Sequence, residues 1–334
     1  MNKSLLSDKA KQFFFVIIKI AIVVIAFYTI YKRLVENSEI EISAFLRLSR
    51  ENKLFSLKNI LFLTALTTLN WFLEVLKWKI LVNPVSNLNL KSAAEQSLGA
   101  LTASLFTPNR IGEYGAKAIY YEAQNRKSIL ALNFLGNMMQ MGTTVFFGTI
   151  GLVLFQKKHQ TALLKIDAYH VLGVVSLLII LVVLILKTKK IEIGWLPAKL
   201  FSISRNSANF SVEKLKRFYQ KIKTSIYVKG ASISILRYFV FSFQFFVLLK
   251  IFGSKLDYLD CMITISPMYV LASVIPSIFI FDFVIKGSVA LYLFAFSGIN
   301  PLVVLSVVTL MWLLNFAFPS ILGSYFVLNF KLAK

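Results

Sequence analysis

Residues 104–123 read SLFTPNRIGEYGAKAIYYEA and place Pro108, Arg110, Gly112, Glu113, Gly115 and Lys117 within ten positions of a strongly apolar chain. A short apolar run, residues 93–106, leads into this stretch, and a full-length one over 129–155 follows it. Thr107 is a suitable N-cap and Pro108 suits the first helical position, so a helix is predicted to start here. On that helix Arg110, Glu113, Lys117 and Tyr121 stand at i, i+3, i+7 and i+11 and share a face. Ile111, Gly115, Ala118 and Ile119 form the adjoining apolar face. A helix start presents unpaired N–H groups and a partial positive charge, and Arg110 adds a full one, so the site favours an anion such as a lipid phosphate. The plainer alternative is a juxtamembrane helix laced by i,i+3 and i,i+4 ion pairs.

The 334 residues are 57% hydrophobic and include 31 Phe, and several apolar runs approach or exceed the roughly 20 residues that cross a bilayer. The expected class is all-α, a polytopic helical membrane protein in one integral domain over 1–334, with about seven to eight spans or half-spans. A transmembrane barrel would show alternating segments of about 10 residues, and none occurs. The net charge of +22 sits mostly between the apolar runs, where it sets topology and attracts anionic lipid; nucleic acid is not an expected partner. A lone cysteine, Cys261, excludes an intrachain disulfide and a multi-cysteine metal site and reads as a small buried filler. His159 and His170 are too isolated to form a ligand set, and no cofactor or metal is expected.

A first span is predicted over 13–31, retained rather than cleaved because no small-residue site follows it. A second covers 57–82, with Asn70, Glu74, Lys77 and Lys79 in its C-terminal half. Glu74 and Lys77 read as an i,i+3 pair near the interface. The run 93–106 is too short for a comfortable crossing and fits a re-entrant segment. The span over 129–155 carries a stripe of Asn133, Gly136, Asn137 and Gln140, which usually means helix packing and less often a lined cavity. A further span covers 171–186. Residues 187–229 hold 11 Lys and Arg against Glu192 and Glu213, which assigns them to the cytoplasmic side. There Val212, Leu215, Tyr219 and Ile222 share a face, predicting an amphipathic helix on an anionic leaflet. A span over 232–251 follows, with Arg237 expected to snorkel near its cytoplasmic end. Next come a run over 259–275 broken at Pro267 and closed by Pro276, and a charged segment with Asp282, Lys286 and Gly287. The last apolar runs, 284–297 and 302–328, divide at Gly298 to Pro301. Trp71, Trp78, Trp195 and Trp312 read as packing or interfacial residues.

Outward counting from the basic loop puts the N-terminus in the cytoplasm. The halves 57–186 and 230–328 then repeat one order with opposite direction: a span, a short broken run, a proline, a charged segment and two spans. Asn70 precedes Pro108 by 38 residues and Phe241 precedes Pro276 by 35. Two broken segments in an inverted repeat are an architecture of secondary transporters, with the substrate between the halves. Ionisable residues at that depth are functional candidates, Asp282 and Lys286 (i, i+4) included.

SLFTPNRIGEYGAKAIYY resembles the Pro-x-Arg-x-Gly-Glu signature of the lysylphosphatidylglycerol synthase transmembrane region, the flippase-like family. VIPSIFIFDFVIKGSVALYLF is similar to that family's second signature, a Pro followed by Gly-rich residues and then Arg-Glu-Gly or Arg-Gly. The resemblance implies a lipid-binding role for Pro108, Arg110, Gly112 and Glu113, then Pro276, Lys286 and Gly287. Lys117 and Asp282 join them as neighbouring charges. The second signature departs from the pattern: Ile278, Phe279, Ile280 and Phe281 stand where glycines are usual. Lys286 replaces an Arg and cannot make its bidentate phosphate contact. Fused relatives carry a soluble aminoacyltransferase; the chain ends at Lys334 soon after its last span, so synthase activity is not expected. The expectation is a translocator of an anionic phospholipid or lipid-linked head group, multi-pass in a bacterial plasma or inner membrane. The alternatives are a membrane scaffold or accessory subunit with a protein partner yet to be named, and a membrane enzyme acting on a lipid-linked phosphate or sugar.

Overall fold

The computed structural model describes residues 42–105, 107, 110–161, 212–274 and 279–330, with positions 17, 20, 21, 24, 28 and 173 besides. The spans predicted over 13–31 and 171–186, most of the basic loop, Pro108, Pro276 and the side chain of Asp282 lie outside the described residues. Ten helices can be traced over continuous stretches of the described residues, and no strand occurs among them. They are α1 (Ile42–Glu51), α2 (Leu57–Val82), α3 (Leu90–Ser104), α4 (Gly112–Ala118), α5 (Ala123–His159), α6 (Val212–Lys221), α7 (Thr224–Ile251), α8 (Tyr258–Val274), α9 (Phe279–Ala295) and α10 (Pro301–Asn329). Four of these, α2, α5, α7 and α10, are long and apolar enough to cross a membrane. They mark a membrane-embedded helical protein.

Helix ends follow local chemistry. Ser56 caps α2 by accepting from the Asn59 N–H, and Asn89 caps α3 through the Ser92 N–H at 2.7 Å. The break expected at Gly298 to Pro301 is a tight one. Gly298 takes a φ of +67°, Asn300 Oδ1 accepts the Leu302 N–H at 2.8 Å, and Pro301 opens α10. Pro267, by contrast, does not break its run: α8 continues from Tyr258 to Val274. The adjacent α5 presents Gly151 there, where any Cβ would strike the Pro267 ring and Ser266.

Packing joins elements distant in sequence. α2 lies along α7, α3 along the second half of α10, and α8 along α5. At the α3 contact Gly323 of α10 sits where a Cβ would collide with the Leu98 carbonyl oxygen, and Thr102 Oγ1 donates to the Ser320 carbonyl oxygen at 2.8 Å. One apolar cluster gathers Phe245, Leu248, Leu249, Cys261, Phe294 and Trp312; a second gathers Trp78, Leu81, Ile129, Leu132, Ile222 and Ile226. Cys261 is the buried filler expected.

The helix α6 forms where predicted, and its C-terminal end packs on protein. Ile222 is buried in the second cluster with Phe218 and Tyr219 against it, and the Tyr219 hydroxyl donates to the Ala131 carbonyl oxygen at 2.9 Å. Arg217 and Lys221 face outward.

Within α10, Leu313–Ala317 forms a π-helical turn. Its cause is Pro319, which lacks an N–H and whose ring crowds the carbonyl four residues earlier, that of Asn315. The turn widens to relieve the crowding, and the freed Asn315 carbonyl oxygen accepts the Trp71 Nε1–H at 3.1 Å.

Candidate functional site

The predicted helix start moves. Arg110 takes a left-handed φ of +57° and lies outside the helix, which begins at Gly112. Thr107 is no ordinary N-cap, since its Oγ1 reaches forward to accept the Gly112 N–H at 2.9 Å. Gly112 is required there, because a Cβ would strike the Thr107 side chain. The seven-residue α4 with its first N–H already taken is not the helix-start anion site expected; any recognition of an anion passes to side chains. A bulky residue in the left-handed region costs roughly 1–2 kcal/mol, so Arg110 is held there by its surroundings.

Those side chains still meet as their spacing requires. Glu113 is the centre of a triad, with Arg110 Nη2 at 2.8 Å from its Oε2 and Lys117 Nζ at 2.8 Å from its Oε1. Lys117, 1% exposed, also donates to Asn133 Oδ1 at 2.9 Å and stands 4.3 Å over the Trp78 ring. Tyr121 does not join the shared face: it lies past the end of α4, and its hydroxyl donates to Gln96 Oε1, which also accepts the Trp78 Nε1–H.

A second triad surrounds Glu74 on α2. Lys77 Nζ approaches its Oε2 at 2.8 Å and Arg237 Nη1 at 2.6 Å. The i,i+3 pair therefore forms as read from the sequence, and it is buried beside a third charge. Arg237 does not snorkel outward. It occupies the middle of α7, where Nε donates to Asn70 Oδ1 at 3.0 Å and Nη1 to Gln140 Oε1 at 3.4 Å. An amide relay runs on from Asn70: its Nδ2 donates to Asn315 Oδ1, Asn315 Nδ2 to Gln244 Oε1, and Gln244 Nε2 to Thr67 Oγ1, each at 2.8–2.9 Å. So the π-helical turn, through Asn315, fixes the residue that orients Arg237.

The triads border one cavity of about 210 Å³, lined by Glu74 and Lys77, Arg110 and Glu113, Arg237, and by Trp71, Asn137, Gln140, Met141, Thr144 and Ser273. Asn137 and Gln140 thus line a cavity, whereas Asn133 and Gly136 of the same stripe serve packing, against Lys117 and Leu81. Arg110 Nε is buried without a hydrogen-bond partner. Lys286 Nζ stands 5.4 Å from the centre of the Phe316 ring and Arg110 Cζ 5.9 Å from the same centre. Cations from both predicted half-sites therefore meet at a side chain of the π-helical turn. Gly287 is buried on α9, and no cluster of His, Cys, Asp and Glu able to hold a metal occurs among the described residues.

Reading the sequence missed Gln244, Asn315 and Phe316, and undervalued Arg237. A lone amide or guanidinium inside a long apolar run was the available signal, with Pro319 marking the helix that would bulge. Comparison of the chain with protein-family models, curated proteins and solved structures finds no match.

Proposed function

We propose that the protein is a flippase-like translocator of lipids with an anionic phosphate head group, working in a bacterial plasma membrane with its N-terminus in the cytoplasm. The observation that carries this reading is the cavity itself. Four cations gather around two carboxylates beside membrane-length helices, where a charge is expensive unless it has work to do. A head group crossing the bilayer needs such compensating charge and donors at mid-depth.

The inverted-repeat reading is supported by the packing order. Long, short, short and long helices occur twice, as α2 to α5 and as α7 to α10. The two leading helices pair, and the short second helix of each half lies under the long last helix of the other. Each of those crossings is closed by glycines of the long helix, Gly148 and Gly151 against α8 and Gly323 against α3. In this reading α3 and α8 are the re-entrant or broken segments, and the cavity takes residues from both halves. The likeness to the lysylphosphatidylglycerol synthase transmembrane region points the same way, with Arg110 and Lys286 as its paired cations.

The test is reconstitution in proteoliposomes, with transfer of a fluorescent anionic phospholipid read by chemical bleaching of the outer leaflet. Arg110→Ala is expected to abolish transfer while the protein stays folded, since that side chain is one-third exposed (33%) and its loss leaves Glu113 paired with Lys117. Unchanged transfer by the folded variant would overturn the reading.

A further inference from the structure

The charge of the cavity selects among anionic head groups. Lys77, Arg110, Lys117 and Arg237 face Glu74 and Glu113, an excess of two positive charges among these described residues, with Lys286 left uncounted. Both carboxylates already hold cations. Glu74 Oε2 takes two cations, and each oxygen of Glu113 takes one. An ammonium group would add a like charge to a site already positive. A group of charge −1 leaves a buried positive charge uncompensated, whereas a group of charge −2 neutralises the site.

The cavity, about 210 Å³ and open on one side, has room for a phosphate. A phosphomonoester meets the charge condition, because it bears about −1.5 to −2 at neutral pH. The buried Arg110 Nε–H supplies a donor lacking an acceptor. Arg110 and Arg237 offer guanidinium forks suited to phosphate oxygens. Met141 and Ser273, both exposed, stand at the rim, so an acyl or prenyl chain can leave past an apolar side chain toward the surrounding lipid.

From these features we infer that the cavity takes the terminal phosphate of a lipid phosphomonoester, in preference to phosphodiester or amine-bearing head groups. The inference rests on the translocator reading for the place of binding but not for movement. The test uses the full chain in lipid nanodiscs, with Trp71 in the cavity wall contributing to the tryptophan fluorescence that reports binding. The probes are short-chain phosphatidic acid, phosphatidylglycerol, phosphatidylethanolamine and inorganic phosphate.

At pH 8 phosphatidic acid is expected to bind at least tenfold more tightly than phosphatidylglycerol, and phosphatidylethanolamine not to bind. Lowering the pH to 5, below the second phosphate pKa of about 6, should bring that preference under threefold without weakening phosphatidylglycerol. Arg110→Gln, which removes one of the two excess charges at a partly exposed position, should likewise cut the preference below threefold, and Arg110→Lys should keep most of it. Equal binding of the two anionic lipids, binding of the amine lipid, or a preference indifferent to pH would each overturn the inference. Inorganic phosphate binding as tightly as phosphatidic acid would overturn its lipid half. Transfer of both anionic lipids without preference would sink this inference and leave the translocator reading standing; selective binding without transfer would do the reverse.

Discussion

The two triads solve the same electrostatic problem in different ways. Glu113 is served by near neighbours, Arg110 and Lys117, with one carboxylate oxygen for each. Glu74 receives one neighbour, Lys77, and one cation from another helix, Arg237, both on a single oxygen. The first triad has escape routes. Arg110 is partly exposed, and Lys117 keeps Asn133 and the Trp78 ring if the carboxylate is lost. The second has none as good, since Lys77 is almost wholly enclosed and Arg237 is braced by amides that carry no charge. The local triad is therefore adjustable, and the long-range one ties α2 to α7.

That contrast makes its own tests. Glu74→Gln should have the largest effect, a loss of about 3–5 kcal/mol, because two enclosed cations are left facing one another. Chemical unfolding in mild detergent would measure it. Glu113→Gln should cost clearly less in the same experiment. Equal losses would erase the distinction between the triads. Next in size is Asn315→Leu, which strips the shared partner from Asn70 and Gln244 at similar volume. A loss of about 1–3 kcal/mol is expected, the usual consequence of orphaned buried amides, with lipid transfer falling because Arg237 is no longer oriented. Unimpaired transfer in a folded Asn315→Leu protein would detach the π-helical turn from the site. The smallest effect on stability belongs to Arg110→Gly. Relief of the left-handed backbone, worth about 1 kcal/mol, offsets a partly exposed ion pair of about the same worth, so stability should move by less than 1 kcal/mol. Transfer should nonetheless be lost, separating function from stability at this position.

How far the sequence could be read follows the same division. Arg110, Glu113 and Lys117 lie within eight residues, and spacing alone brings charges together on any turn-like backbone, even though Arg110 turned out to precede the helix. Arg237 was misplaced because charge near a predicted span end looks interfacial; α7 begins earlier, at Thr224, so the guanidinium sits mid-helix. Asn315 lies 245 residues from Asn70, and nothing in either neighbourhood announces the other. The amphipathic pattern of α6 was right in periodicity and silent on what would cover it, because an apolar stripe is equally satisfied by lipid or by α5 and α7.

By itself the chain's alphabet determined the all-helical, membrane-embedded class, the helix breaks at Gly298 to Pro301 and the local charge triad. Those depend on the cost of bare backbone in hydrocarbon and on contacts within a turn or two. Only the tertiary structure decided that Arg237 would reach Glu74, that Pro319 would present Asn315 to Asn70, and that two triads would border one small cavity. Such outcomes depend on which helix lies beside which, and side-chain chemistry read along a strand of letters carries no record of that.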